Sequence, residues 1–265
     1  MSARVHPSAL VHDGAEIADD VEIGPFCEVG AGVVLEPGVQ LRARASVIGN
    51  TRIGARTQIH EGATLGGAPQ VKGFVAGSDS RLETGTDCVF RECVTIHTGT
   101  PKDAGTTRIG THCYFMAYSH AGHDCQVGDG CMLANNVAMA GHCRLGPGVN
   151  IGGAAAIHQF VEMGEGAMVG GGAILVDDVI PFGLVTGNRA RLNGLNLVGL
   201  KRSGAGKTEI HALRAAYRDL FHAQGNFSER VASLARRGPD DPRVIAVLDF
   251  IRRERRRPLC QPEAS

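Results

Sequence analysis

A six-residue beat governs the first two thirds of the chain. Stepping by six from Val5 meets Val11, Ile17, Ile23, Val29, Leu35, Leu41, Val47, Ile53, Ile59 and Leu65, every one aliphatic. After one extra residue the frame resumes at Thr84, Phe90 and Ile96. After a second slip it runs from Ile109 through Phe115, Ala121, Val127, Leu133, Met139, Leu145, Ile151, Ile157, Met163 and Val169 to Leu175. Four residues after each aliphatic stands a small or β-branched side chain, as at Ala9, Val21, Cys27, Ala45, Thr57, Ala63, Val137 and Ala155. The position directly after the aliphatic is often glycine (Gly24, Gly54, Gly128, Gly152), where we expect backbone angles that side chains avoid. A beat of six excludes an amphipathic helix with its 3.6 period. It predicts an all-β parallel β-helix of hexapeptide repeats: short strands, a turn every six residues, three hexads to a triangular coil, coils stacked roughly 4.8 Å apart.

Composition agrees with a slender interior. Aromatic residues make up only 5% of 265, and there is no tryptophan, so small aliphatics must fill the axis. The formal net charge of zero removes any whole-chain case for nucleic acid or a membrane surface. No apolar run approaches a signal peptide or the roughly 18 residues of a membrane span, so a cytoplasmic chain without stable membrane insertion is expected. Of eight cysteines, Cys27, Cys88, Cys113, Cys125, Cys131 and Cys143 fall in the small inward slot. They read as buried small hydrophobes, not as a disulfide framework or a metal cluster.

The reading divides the chain into a β-helix over 1–191, with external loops where the frame slips near 66–83 and 97–108, and an α-helical domain over 192–265. In the latter, Ile210, Leu213, Ala216, Tyr217, Leu220 and Phe221 share one helical face. Ser228 is the expected N-cap of a second helix closing at Gly238, and Asp241-Pro242 opens a third, striped with Val244, Val247, Leu248 and Ile251. The run Arg252–Arg257 reads as a solvated helix end or as a docking patch for an acidic partner.

Histidines concentrate late in the repeat: His97, His112, His120, His123, His142 and His158. With about 18 residues to a coil, His123, His142 and His158 fall near one corner of neighbouring coils, within reach of one ligand. The axis is too thin for a substrate, so a pocket must lie on the outer wall, with Gln70 and Lys72 of the first loop able to overhang it. Three uses compete. A neutral imidazole suits proton abstraction from a sugar hydroxyl, with Asp124 able to orient His123. Three histidines suit zinc, as in the β-helical carbonic anhydrases. A binding module would merely line a polar groove with them.

The segments CVFRECVTIHTGT, MAYSHAGHDCQVG, CMLANNVAMAGHCRLG, IGGAAAIHQF and GLNLVGLKRSG resemble, in this order, the acyl-carrier-protein-dependent UDP-N-acetylglucosamine 3-O-acyltransferases of lipid A biosynthesis. The likeness runs from about Val5 through the C-terminus. It implies a left-handed helix, a homotrimer, and grooves between subunits. It also implies a general base at His123, its orienting carboxylate at Asp124, and an oxyanion donor in the Gly141 N–H. By the same matching His97, His120, His142, His158 and Gln159 line the acceptor and pantetheine region, Gln70, Lys72, Asn196 and Arg202 bind substrate, and Gly171 sets acyl-chain length. The substrates implied are a UDP-sugar and the phosphopantetheine thioester of acyl carrier protein, with no metal or other cofactor. The chain departs from the pattern on the acceptor side. Gln70-Val71-Lys72 lacks the family's aspartate, and Val198 and Ser203 replace an acidic residue and an arginine. An acceptor bearing a 3-amino group is therefore the alternative.

Overall fold

The computed structural model describes residues 2–75, 77–101 and 103–263. The hexads wind into three sheets of eleven, nine and eight strands, and as far as Leu175 neighbours within each wall are three strands apart in the chain. Gln40–Leu41 pairs in parallel with Gln58–Ile59, and Ala138–Met139 with Ala156–Ile157, a step of 18 residues to the coil. The step widens to 31 from Gln58 to Val89 and to 25 from Val89 to Tyr114. Those two coils carry the external loops, which are shorter than the frame slips suggest. Strand persists to Gly67 and resumes at Arg81, and the second excursion lies between His97 and Thr106.

The aliphatics of the beat point to the axis. Leu41, Ile59, Phe90, Phe115, Leu133, Ile151 and Val169 are all buried, and the Phe90 and Phe115 rings of neighbouring coils meet at 5.3 Å along it. Each such side chain withdrawn from water stabilises the fold by about 1.5–3 kcal/mol. The first coil is the exception: Val5 is 45% exposed, and Val11 and Ile17 are only partly buried. All eight cysteines are free thiols, and the six in the inward slot are buried. They also satisfy backbone: Cys113, Cys125, Cys131 and Cys143 donate to the carbonyls of Gly128, Ala140, Gly146 and His158.

The glycines after the aliphatics have a different cause from the one expected. Positive φ falls two residues later, as at Phe26 and Arg44 after Gly24 and Arg42. The glycines are there because coils stack closely. A Cβ at Gly54 would sit 2.3 Å from the Gly85 oxygen, and one at Gly152 would sit 2.5 Å from the Gly171 nitrogen.

The end of the rod is closed by strand before it is closed by helix. Residues 191–195 are not helical: Arg191–Leu195 runs antiparallel to Gly183–Thr186 and completes the eleven-stranded sheet. Four helices follow, α1 (Leu197–Arg202), α2 (Lys207–Phe221), α3 (Phe227–Arg236) and α4 (Pro242–Arg252). The short α1 escaped the sequence reading. Asn226, not Ser228, caps α3, its side chain accepting from the Glu229 N–H while Glu229 reaches back to the Asn226 N–H. Asp241 caps α4 as expected. Ile210, Leu213, Ala216, Leu220 and Phe221 are the buried face of α2, which packs on α3 and α4. Beyond α4 the chain returns to the β-helix, where Asp178 and Leu259 form a parallel bridge.

Candidate active site

One corner of the triangular coil carries the histidines. It is the turn leading from the nine-stranded sheet to the eight-stranded one, at residues 122–125, 140–143 and 158–161. Asp124, His142 and Phe160 lie 18 residues apart at equivalent positions of this turn, each with positive φ (60°, 64° and 68°). Such angles are uncommon for non-glycine residues and mark places worth examining.

His123 precedes Asp124, and its Nδ1 lies 2.8 Å from Asp124 Oδ2. The Asp124 side chain is fully buried, whereas 17% of the His123 side chain stays accessible. Three donors converge on the carboxylate: His123, the Thr100 N–H at 2.9 Å and the Thr100 hydroxyl at 2.7 Å. The Asp124 N–H in turn donates to the Thr107 hydroxyl. Burial pushes the carboxyl up, but the His123 and Thr100 hydrogen bonds and nearby His142 outweigh it and hold the group below its ordinary value. An ionised Asp124 fixes the proton of neutral His123 on Nδ1 and leaves Nε2 as the open acceptor.

Gly141 makes room for that ring, and Gly122 lets the Gly141 coil approach. A Cβ on Gly141 would lie 2.7 Å from His123 Nε2, and one on Gly122 would lie 2.6 Å from the Gly141 nitrogen. A groove of about 360 Å³ opens here, lined by Gln70, His97, His120, His123, Gly141 and Gln159, with Ala138 and Met139 along its floor. The His97 and His120 rings meet edge-on at 5.2 Å. His97 Nδ1 faces the Ala68 carbonyl of the first loop, and His120 Nδ1 lies 2.8 Å from the Thr95 hydroxyl. Burial first, then the neighbouring His97 and His123, pull His120 down to about 4, so it is neutral at physiological pH.

Other expected residues stand outside this groove. His142 packs edge-on against His123 at 4.7 Å, stacks on Phe160 at 4.4 Å, and hydrogen-bonds Asp103 through Nδ1. It belongs to an adjoining cavity of about 410 Å³ shared with Asp103, Arg144 and Arg256. His158 is exposed beside Arg257. His112 is no part of the cluster, for it lies on a different corner, between the eight- and eleven-stranded sheets. Lys72 and Val71 are exposed on the first loop. Asn196 caps α1 by accepting from Gly199 N–H and donates to the Gly166 carbonyl; Arg202 ends that helix, and Val198 is 61% exposed on it. Gly171 is exposed above Gly153, whose oxygen lies 3.3 Å from where a Cβ would be.

Sequence reasoning missed Thr100, Asp103, Phe160 and Arg257. The 18-residue spacing from Asp124 through His142 would have found Phe160. The two loop residues carry no periodic signal. For zinc, the donors that come together at this corner are His123, Asp124 and His142, not three histidines, with ligand atoms within 4.8 Å of one another. As folded, those atoms are spent on hydrogen bonds to one another and to Thr100 and Asp103. An ion seated among them would have to break the His123–Asp124 contact.

Two family models match: the second domain of UDP-N-acetylglucosamine O-acyltransferase over residues 178–260, and the bacterial transferase hexapeptide over 106–141. A Caulobacter vibrioides protein named acyl-(acyl-carrier-protein)–UDP-N-acetylglucosamine O-acyltransferase is 53% identical over 98% of both chains. The chain belongs to this O-acyltransferase family. An Azorhizobium caulinodans protein of the same name is 52% identical over 87% of this chain and 84% of its own. Among solved structures, the UDP-N-acetylglucosamine acyltransferase from Campylobacter jejuni superposes with a TM-score of 0.91 at 36% identity, covering 97% of this chain and 99% of its own. The rod is accordingly the left-handed parallel β-helix of these O-acyltransferases. No helix among the described residues is long and apolar enough to cross a membrane.

Proposed function

We propose that the groove transfers a β-hydroxyacyl group from the phosphopantetheine thioester of acyl carrier protein to the 3-hydroxyl of UDP-N-acetylglucosamine, the first step of lipid A assembly. The observation that carries this reading is a groove-facing imidazole whose Nδ1 is held by a buried, triply hydrogen-bonded carboxylate. His123 Nε2 takes the hydroxyl proton as the sugar oxygen attacks the thioester carbon. The tetrahedral oxyanion is met by the Gly141 N–H, a kind of donor that lowers such barriers by about 3 kcal/mol. The C–S bond then breaks, and His123 returns its proton to the departing thiolate. Asp124 orients the ring and stabilises its cationic form.

Two small side chains support a path for the acyl tail. Ala138 and Ala156 stand in one register column of the nine-stranded sheet, which leads from the histidines to Ile174, beside the turn holding Gly171. Gly171, between Gly170 and Gly172, leaves the end of that path open. The remaining acceptor contacts come from assembly: Asn196 and Arg202 lie outside the groove of a single chain and reach an acceptor from an adjacent copy in a homotrimer. Both substrates belong to the cytoplasm, and no step requires a metal.

The test is incubation with β-hydroxyacyl carrier protein and a panel of UDP-sugars, read by mass spectrometry with and without a chelator. An O-acylated UDP-N-acetylglucosamine unaffected by the chelator is expected. Loss of turnover on chelation, or no acylated product at all, overturns the reading. Val71, Val198 and Ser203, where the family carries polar acceptor contacts, favour one competitor, a 3-amino UDP-sugar acylated to an amide. A strong preference for that acceptor would reassign the substrate and leave the chemistry intact.

A further inference from the structure

The basic run after α4 is exposed at Arg252, Arg253 and Arg256, yet it is tied back to the fold at several points. Arg253 lies over the Phe250 ring at 4.4 Å, and Arg255 donates to the carbonyls of Phe250 and Ile251. The segment is then pinned to the β-helix: Asp178 N–H donates to the Pro258 carbonyl and Cys260 N–H to the Asp178 carbonyl, each at 2.8 Å. Between these anchors Arg256 sits 4.8 Å over Phe160, the ring stacked on His142. Arg257 reaches the same turn. Its terminal nitrogen donates to His158 Nδ1 at 2.6 Å and its Nε to the Gln159 carbonyl at 3.2 Å.

The His158 contact decides a proton position. A guanidinium only donates, so His158 Nδ1 must accept and the neutral ring must carry its proton on Nε2. Without the guanidinium, Nδ1 faces an acceptor instead, the Gln159 carbonyl at 3.2 Å, and the proton belongs on Nδ1. One arginine therefore chooses the tautomer of His158 and holds the backbone of Gln159, which lines the groove. We infer that Arg257 is a positioning residue of the acyl-transfer site, acting through the His158 tautomer and the Gln159 backbone.

The inference rests on the proposed acyl transfer for its kinetic consequence, but not for its structural one. The structural readout is the ¹⁵N spectrum of histidine-labelled protein. The wild-type His158 ring shows the Nε2–H form, Arg257→Ala shifts it to Nδ1–H, and Arg257→Lys, which still donates to Nδ1, retains the wild-type form. Kinetically, Arg257→Ala raises KM for the acyl donor about ten-fold, the scale of a lost charged hydrogen bond, with kcat changed far less. Arg257→Lys recovers part of that loss. A wild-type ring protonated on Nδ1, or an identical spectrum in Arg257→Ala, overturns the inference. So does a tautomer flip with KM unchanged. Absence of acyl transfer in the wild type would count against the proposed reaction alone, since the spectra read the arginine's effect without turnover. Should Arg257→Ala fail to fold, the wild-type and Arg257→Lys spectra still decide.

Discussion

The chain contains the dipeptide His-Asp twice at the same corner of the coil, and the two copies differ in almost everything that matters chemically. His12-Asp13 is exposed; 43% of the His12 side chain is accessible, and its ring partner is Glu28 on the next coil at 3.2 Å. His123-Asp124 is sequestered, with the carboxylate fully buried. The difference is one of phase. His12 directly follows the aliphatic Val11, so Gly14 takes the positive φ and both polar side chains stay outside. His123 stands one place later, after Gly122, so Asp124 itself takes the turn and is turned under the loop that brings Thr100. A motif read without its place in the beat would equate the two.

The largest expected effect separates the pairs directly. His123→Ala should lower turnover by roughly three orders of magnitude, within the range for loss of a general base, with the circular dichroism melt preserved. His12→Ala should leave turnover unchanged, and equal losses in the two variants would erase the distinction drawn here.

A second comparison sets Asp124 against another buried carboxyl, Asp178. Asp178 accepts from the Glu162 N–H, but its Oδ2 has no hydrogen-bond partner and Arg255 stands 3.9 Å away. Burial therefore pushes it up to about 7. Below the ordinary carboxylate value both folded and unfolded chains hold this proton, and nothing is lost. Between there and pH 7 only the folded chain holds it, so stability falls as pH rises, by a total on the order of 4 kcal/mol. Asp178→Asn should remove that slope, and its melting temperature should gain on wild type from pH 5 to pH 8. A constant difference across that range would show that Asp178 is ionised at low cost.

Asp124 has the opposite sign. Its folded carboxyl lies below the ordinary value, so its contribution is present above that value and lost as pH falls through the folded one. Thr100→Val removes one donor and should cost about 2 kcal/mol at neutral pH. It should also move the acid limb of the unfolding curve to higher pH. A variant whose acid limb coincides with wild type would mean that Thr100 does not hold the carboxylate.

The smallest effect concerns acyl-chain selection. A Cβ at Gly171 has 3.3 Å to the Gly153 oxygen, so Gly171→Met should fold after a shift of a few tenths of an ångström. In a mixed-donor assay it should favour a shorter β-hydroxyacyl chain by about ten-fold, the scale of one or two methylenes in an apolar site. An unchanged profile would remove Gly171 from the path of the tail.

The β-helix was legible because each slot of the hexad answers to one constraint: aliphatic for the axis, small for the inward turn, glycine where coils touch. The histidine corner followed from counting by 18. Apart from Phe160, what stayed hidden came from segments that leave the beat. Asp103 and Thr100 lie on a loop with no period to place it, and Arg257 arrives from nearly a hundred residues away. Asn196 is instructive in another way. The likeness gave it to substrate, whereas in the single chain its amide is occupied in opening α1 and holding Gly166, a cap signal present in the sequence but not used.

Among the described residues the two rims of the rod differ. Its far rim is sealed by an antiparallel strand, four helices and the returning tail, whereas Val5 and Leu10 face water at the near rim. Amide exchange should therefore be fastest in the exposed coils around Val5 and Leu10 and slow steadily along the axis. The imidazoles sit towards the sealed rim, so the early coils can fray and rewind while the chemistry downstream keeps its shape.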